Sequence, residues 1–319
     1  MTEKTPGGLF KADLHCHTRH SGHAKHLKFL RCRDCYNTPI DVYRTAKRRG
    51  MDLVTITDHD SIGGCLELLD RLGDLPDFIM GEEVTVAFPE FRHEVHVAVY
   101  GLNESQHKEI QRLRPNGEEL VPYLRQNHLL FVLNHFFHDF SDGMRVREFI
   151  ERMALLFDVF EVRNGSQSRE HNLFIVKILE QYKSVFAKER PIGMIGGSDS
   201  HTMRRIGRTF TASPAQNKQE FLDDIRAGRT QVFGPHSNQF SLAADIYGVV
   251  LRHFPAVFSG ANGSFPPSVR VKAAILTLMT TPFLFTPYIV AVRHNRIERG
   301  RINLFARLLL GPGAQSFAH

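Results

Sequence analysis

The sequence predicts an α/β fold on a mostly parallel sheet, either an open doubly wound sheet or a closed barrel, followed by a helical appendage. Three observations predict it. Short apolar runs alternate with helical stretches through the first 235 residues, the alternation stops near residue 236, and His, Asp or Glu recurs where the runs end. The 319 residues suit a barrel of about 200–250 residues plus an appendage as well as two ordinary domains. With 42% hydrophobic and 23% charged residues, wholesale disorder is excluded.

The elements follow in order. Residues 10–14 read as a first strand. Thr38-Pro39-Ile40-Asp41 then combines an N-cap, a proline at the first helical position and an acid in the first turn, and Gly50 closes that helix. Residues 53–57, 78–80, 95–100, 130–133, 157–162 and 192–195 read as buried strands, too short for helices and rich in β-branched or aromatic side chains. Asn217-Lys218-Gln219-Glu220 is a second candidate N-terminal cap, of the capping-box type. Beyond residue 236 a Gly/Ser/Pro cluster at 259–267 separates two helical segments. The expected division is a barrel domain over residues 1–235 and a helical extension over 236–319.

The net charge of +6 is uneven, because residues 1–50 are strongly basic and the stretch from Arg293 onward is basic again. A basic N-terminal segment suits an anionic ligand such as phosphate, or simply a soluble surface. Four cysteines are too few for a disulfide scaffold, and the first residues lack the apolar core of a signal peptide, so a reducing cytoplasm is the expected compartment. Residues 271–292 are largely apolar and near spanning length, but Lys272, Pro282 and Pro287 interrupt them. A buried helix followed by a proline-broken segment is expected there, with membrane contact, including peripheral association, as the alternative.

The compositional outlier is histidine, at 18 residues, and its placement carries the chemistry. The first strand runs into His15-Cys16-His17, where the i, i+2 spacing turns both imidazoles to one side. His23 follows the turn-like Ser21-Gly22. Thr57-Asp58-His59-Asp60, Gly81-Glu82-Glu83, Asn134-His135 and Asp199-Ser200-His201 end further strands, and Glu94-Val95-His96 begins one. One such histidine would ordinarily be structural; this many ligand types at strand ends point to metal. Imidazoles and carboxylates without organised thiolates suit Zn, Mn or Fe, and their number suits two or three ions. Cys32-Arg33-Asp34-Cys35 could form a separate zinc site with His20 or His26, a redox pair, or a loop with two incidental thiols.

Asp13-Leu14-His15-Cys16-His17-Thr18, Ile56-Thr57-Asp58-His59-Asp60, Gly81-Glu82-Glu83-Val84 and Gly197-Ser198-Asp199-Ser200-His201 resemble, in the right order, the motifs of the polymerase and histidinol phosphatase (PHP) superfamily. The resemblance covers about residues 10–235. It implies a distorted (β/α)₇ barrel with a trinuclear metal site at its C-terminal face and hydrolysis of a phosphate ester. Carried over position by position, it implies that His15, His17, Glu83 and Asp199 hold a first metal. Glu83 would bridge to a second, completed by His96 and His135, and His59 and His201 would serve a third. Where many members have an Asp after the first motif, this chain has Ser21-Gly22-His23, which makes His23 the expected replacement. The family pattern selects Glu83 over the adjacent Glu82.

The expected activity is a metal-dependent phosphoesterase acting on a phosphorylated small molecule or nucleotide by attack of a metal-bridging hydroxide, with Glu83 and Asp199 central. His138 and His20 are candidate proton donors to the leaving group, and Arg163 and Arg208 candidate phosphate clamps. Each of these four could equally be a surface residue. A nuclease acting on nucleic-acid ends is the alternative, less favoured because no basic and aromatic stripe is visible. A non-catalytic metal-binding module is a third reading.

Overall fold

The computed structural model describes residues 8–24, 32–140, 142–186, 191–259, 267–280 and 285–311. Its strands are β1 (Phe10–Asp13), β2 (Leu53–Ile56), β3 (Phe78–Phe88), β4 (His93–Tyr100), β5 (Leu130–Leu133), β6 (Val159–Asn164), β7 (Gly193–Gly197), β8 (Phe210–Ser213) and β9 (Gln231–Phe233). Around them lie α1 (Pro39–Arg48), α2 (Gly63–Leu72), α3 (Glu104–Leu113), α4 (Gly117–Gln126), α5 (Val146–Leu156), α6 (Arg169–Gln181), α7 (Lys183–Phe186) and α8 (Lys218–Arg226). Three longer helices follow, α9 (Gln239–Ser259), α10 (Pro267–Thr280) and α11 (Thr286–Leu310). All the strands join one sheet in the order β7-β6-β5-β4-β3-β2-β1-β8-β9. The ends of this order curl towards each other: the Thr211 hydroxyl of β8 accepts from the Gly196 amide of β7 at 2.8 Å and donates to its carbonyl at 2.9 Å. The result is a nearly closed, distorted α/β barrel with helices outside.

The pairing is parallel for β1–β2, β2–β3, β5–β6 and β6–β7, as strand–helix alternation predicts. It is antiparallel on both sides of β4, which pairs with β3 and β5, and around β8, neither of which the alternation indicated. β3 and β4 form a hairpin, because Pro89–Phe91 make a tight turn and Arg92 takes a left-handed φ of 48°, leaving no room for a crossover helix. β8 and β9 run antiparallel beside β1, and both are too short and polar to stand out in the sequence. β3 continues eight residues past the apolar run at 78–80, so the two glutamates lie inside a strand rather than at its end.

Local signals set the helix ends. The Thr38 hydroxyl accepts from the Asp41 amide at 3.2 Å, and Gly50 takes the positive φ of 78° just past α1. Asn217 caps α8 through the Glu220 amide at 3.0 Å, but Glu220 reaches back to the amide of Gln216 rather than to that of the cap residue. The reciprocal capping box is at Asn103 and Gln106.

The largest apolar cluster lies under β3–β6 and is rich in phenylalanine, including Phe136, Phe137, Phe149 and Phe160. α11 adds Ile302, Phe305 and Leu309 to it, and a buried pair at 2.7 Å links His171 of α6 to Glu298 of α11. The extension therefore packs into the core of the barrel. Among the described residues no helix is long and apolar enough to cross a membrane. The apolar stretch 271–292 is divided between α10 and α11, and its Pro282 lies outside the described residues.

Candidate metal centre

β1 ends by turning two imidazoles inward, and the other strand ends converge on them. Glu83 is the hub. Its Oε1 lies 3.2 Å from His15 Nε2, 3.1 Å from His135 Nε2 and 3.4 Å from His96 Nδ1. Its Oε2 lies 3.0 Å from His59 Nδ1 and 3.5 Å from His17 Nε2. Asp199 Oδ1 lies 3.3 Å from His17 Nε2 and 3.6 Å from both His15 Nε2 and His201 Nδ1. Four overlapping ligand groups result: His15, His17 and Asp199; His15, Glu83 and His135; His59, Glu83 and His96; and His17, His59 and His201. Donor atoms around a tetrahedral ion at about 2.1 Å sit roughly 3.4 Å apart, which matches these separations.

The donor set fits divalent metal on a second count. His15 Nε2, His17 Nε2, Glu83 Oε2 and His96 Nδ1 are buried without a hydrogen bond, a costly state for polar atoms unless another partner is supplied. Backbone strain is found here as well: His135 and Asp199 take left-handed φ values of 27° and 48°. Gly197 lets β7 approach β1, since a Cβ there would lie 2.4 Å from that of His15.

Surrounding groups fix the donors. Glu161, fully buried in β6, accepts from His15 Nδ1 at 2.9 Å and from the His135 amide at 3.1 Å, which leaves His15 Nε2 facing the cluster. Asn134 donates to Glu83 Oε1 at 2.8 Å and Asn164 to Asp199 Oδ2 at 3.2 Å. Sequence reasoning missed Glu161, although a lone acid in an apolar strand is itself a signal. Asp58 stays outside the cluster and accepts from the Thr18 amide and hydroxyl, both at 2.6 Å.

Eight of the nine expected ligands are brought together; His23 is not. It lies in none of the ligand groups and pairs through its backbone with Arg33 in an isolated bridge. That bridge folds the chain back, with the Asp34 amide donating to Gly22 O at 3.1 Å, and so places the Asp34 carboxylate at the cluster. Asp34 Oδ2 lies 2.7 Å from His201 Nε2 and 3.4 Å from His59 Nε2. The loop thus delivers an acid from 11 positions beyond His23. Its own support comes from the extension: Tyr36 Oη meets His253 Nδ1 of α9 at 2.9 Å, and Arg252 donates to Asn37 Oδ1 at 2.9 Å.

The remaining candidates divide. Glu82 points away from Glu83, as strand alternation requires, and meets His107 and Gln111 of α3. His138 stacks edge-on with His135 at 5.1 Å. Burial, reinforced by His135, lowers its pKa to about 3, so it is a neutral imidazole at pH 7. Arg163, an expected phosphate clamp, donates to Gly234 O at 3.1 Å, and Arg208, the other, is exposed before β8. Arg163 is drawn instead to the end of β9. His20 bonds Glu67 at 2.7 Å, and His26 lies outside the described residues. Cys32 faces Tyr36, whereas the Cys35 thiol donates to the His17 and His201 carbonyls, each at 3.3 Å. Neither thiol enters a metal-ligand group among the described residues.

Electrostatics bind the cluster to protons. Burial would raise Glu83, but His15, His96 and His59 hold it well below the carboxylate range. Burial opposes charge on His15 and His59, yet Glu83 raises both well above normal. His201 is likewise opposed by burial but raised to about 9 by Asp34, whereas burial lowers His17 to about 3. At pH 7 the metal-free centre therefore carries protons that metal must displace, so uptake releases protons and apparent affinity rises as pH is raised through the titration of His201 near 9. Calorimetric titration with Zn²⁺ in buffers of different ionisation heat checks this. Proton uptake, or no exchange, is the contrary result.

A cavity of about 440 Å³ opens beside the centre on His96, His135 and His138 and extends to Arg92, His93 and Asp139. The PHP-associated family model matches residues 184–230, which include β7, Asp199, His201 and β8. An uncharacterized protein of Methanocaldococcus jannaschii is 44% identical over 57 residues, which are 18% of this chain and 33% of that protein. The chain thus spans about a third of the length of the curated relative it matches. Among solved structures, PsfC from Pseudomonas syringae is similar over 77% of this chain and 98% of its own, at 16% identity and a TM-score of 0.51. A two-domain protein of Bacteroides vulgatus containing a predicted PHP-like metal-dependent phosphoesterase matches 77% of this chain and 72% of its own, at 17% identity and a TM-score of 0.48.

Proposed function

We propose that this barrel, similar to those of the PHP superfamily and carrying this cluster, is a metal-dependent phosphoesterase. Its substrate would be a phosphomonoester or phosphodiester of a small molecule or nucleotide. The observation that carries the reading is Glu83, one buried carboxylate shared by five imidazoles. His15, His17, Glu83 and Asp199 would hold one ion, and Glu83, His96 and His135 a second. His59 and His201 would hold a third, with Asp34 in the place expected of His23. Zn, Mn or Fe suits such donors. Bound there, the metals would lower the pKa of water and neutralise phosphate oxygens.

The chain's own residues do the positioning. Glu161 sets the tautomer of His15, and Asn134 and Asn164 orient the two central carboxylates. His138 lines the cavity as a neutral imidazole; a phosphate dianion beside it would raise its pKa and let it protonate a leaving oxygen. The cavity volume suits a small molecule. It favours that substrate class over a nucleic-acid end. The basic first segment is also partly used within the fold, with Arg19 paired to Glu67 and Lys47 to Asp77. Residues 1–235 would form the catalytic domain and 236–319 its supporting extension, in a cytoplasmic protein.

The test is turnover after reconstitution with Zn, Mn or Fe, against phosphomonoesters, nucleoside bisphosphates, cyclic nucleotides and short oligonucleotides. Hydrolysis of one of the small phosphoesters is expected. Cleavage of oligonucleotides alone would turn the reading to a nuclease, and a metal-loaded protein inert towards all four classes would make it a binding module.

A further inference from the structure

α11 has two apolar faces; the barrel buries one of them and touches the other only at its C-terminal end, where Leu304 and Leu308 border Gly143 yet stay half exposed. Pro287, Ala291, Glu298, Ile302, Phe305 and Leu309 form the buried face. The opposite face, at helical spacing, carries exposed Ile289, Val290, Ile297, Leu304 and Leu308, of which Ile289 is 61% and Ile297 56% exposed. Arg293, Arg296 and Arg307 lie exposed among them. The acid of this helix, Glu298, is buried against His171, so the outward face is apolar and purely cationic. α10 contains no acid at all and turns Val271, Lys272, Ile275 and Leu278 outward.

We propose that the outward face of α11 docks on an anionic lipid surface, lying in the plane of the bilayer. Apolar side chains would enter the boundary between headgroups and acyl chains, while arginines reach up to lipid phosphates. Crossing the bilayer is not the mode, since no described helix is suited to it. Charge selects this occupant over a second copy of the chain. Self-pairing of two α11 faces would bring arginine against arginine with no acid between them. One flank of the docked face borders the cavity: His294 lies 6.2 Å, ring to ring, from His138, and Arg301 lies 3.7 Å from Asp139. Docking would hold the cavity close to the lipid surface. The proposal is independent of the phosphoesterase reading, because its test measures lipid binding.

The experiment is cosedimentation of the full metal-loaded chain with vesicles of phosphatidylcholine and phosphatidylglycerol, and with vesicles of phosphatidylcholine alone. Binding to the mixed vesicles is expected, weakened by salt and much reduced without the anionic lipid. Arg293→Ala/Arg296→Ala/Arg307→Ala should lower affinity about 100-fold, at roughly fivefold per arginine, with metal content unchanged. Should that variant misfold, the salt and lipid dependence of the parent decides the matter. Absence of binding to mixed vesicles, binding insensitive to salt, or a folded triple variant that binds undiminished would overturn the proposal. So would a solution dimer that the same substitutions dissociate.

Discussion

Glu83→Gln is expected to lower phosphoesterase turnover by on the order of 10³-fold or more, and to reduce the metal content of the reconstituted protein. The substitution preserves size and can still accept from Asn134, but it removes the one charge that faces five imidazoles. Loss of an outer partner of a ligand already costs about 10–100-fold in affinity or activity, and a ligand shared between ions should cost more. Metal per chain and turnover at saturating metal are the readouts, with circular dichroism to establish that the barrel persists. Retention of both full metal content and full turnover would falsify the assignment of Glu83.

The second large effect separates two residues of one loop. Asp34→Ala is expected to lower metal content by one ion per chain and activity by roughly 10–100-fold, while His23→Ala leaves metal content unchanged. The argument is positional. Asp34 Oδ2 lies 2.7 Å from His201 Nε2 and 3.4 Å from His59 Nε2, at the donor atoms of the cluster, whereas the backbone of His23 is held in a bridge with Arg33. The reverse pattern, with His23→Ala losing the ion and Asp34→Ala keeping it, would restore the position that the sequence suggested.

The contrast between those residues shows how far the sequence could be read. Spacing alone located the parts of the centre that strands deliver. The i, i+2 geometry of His15 and His17 needs only a local strand. The choice of Glu83 over Glu82 instead rests on the resemblance to the PHP motifs, and the alternation along β3 is what separates the two in the structure. His96, His135, Asp199 and His201 sit close to strands that their apolar runs announce. Asp34 had no such announcement, because a loop that doubles back places it, and the flanking cysteines drew attention to thiol chemistry instead. Glu161 was hidden for the opposite reason, within a run whose apolar neighbours matched a buried strand. The antiparallel hairpin escaped because Glu82 and Glu83 look like a strand end, although Val84, Val86 and Phe88 continue the period of two with buried side chains. Arg163 and Arg208 were expected near phosphate from sequence proximity to the motifs, which does not specify where a long side chain turns.

The pairing of Tyr36 with His253 spans 217 positions of the chain. Synthesis proceeds from the N-terminus, so His15, His17 and Asp34 leave the ribosome long before the helix that braces their loop. The earlier strands can form, but the loop carrying Asp34 lacks its brace until α9 has been made. The order of assembly thus has a direction: the barrel first, the brace afterwards, and a fully formed metal pocket last. A polypeptide interrupted before α9 would carry every strand-borne ligand but would leave the loop bearing Asp34 without Tyr36–His253 and Asn37–Arg252 to hold it.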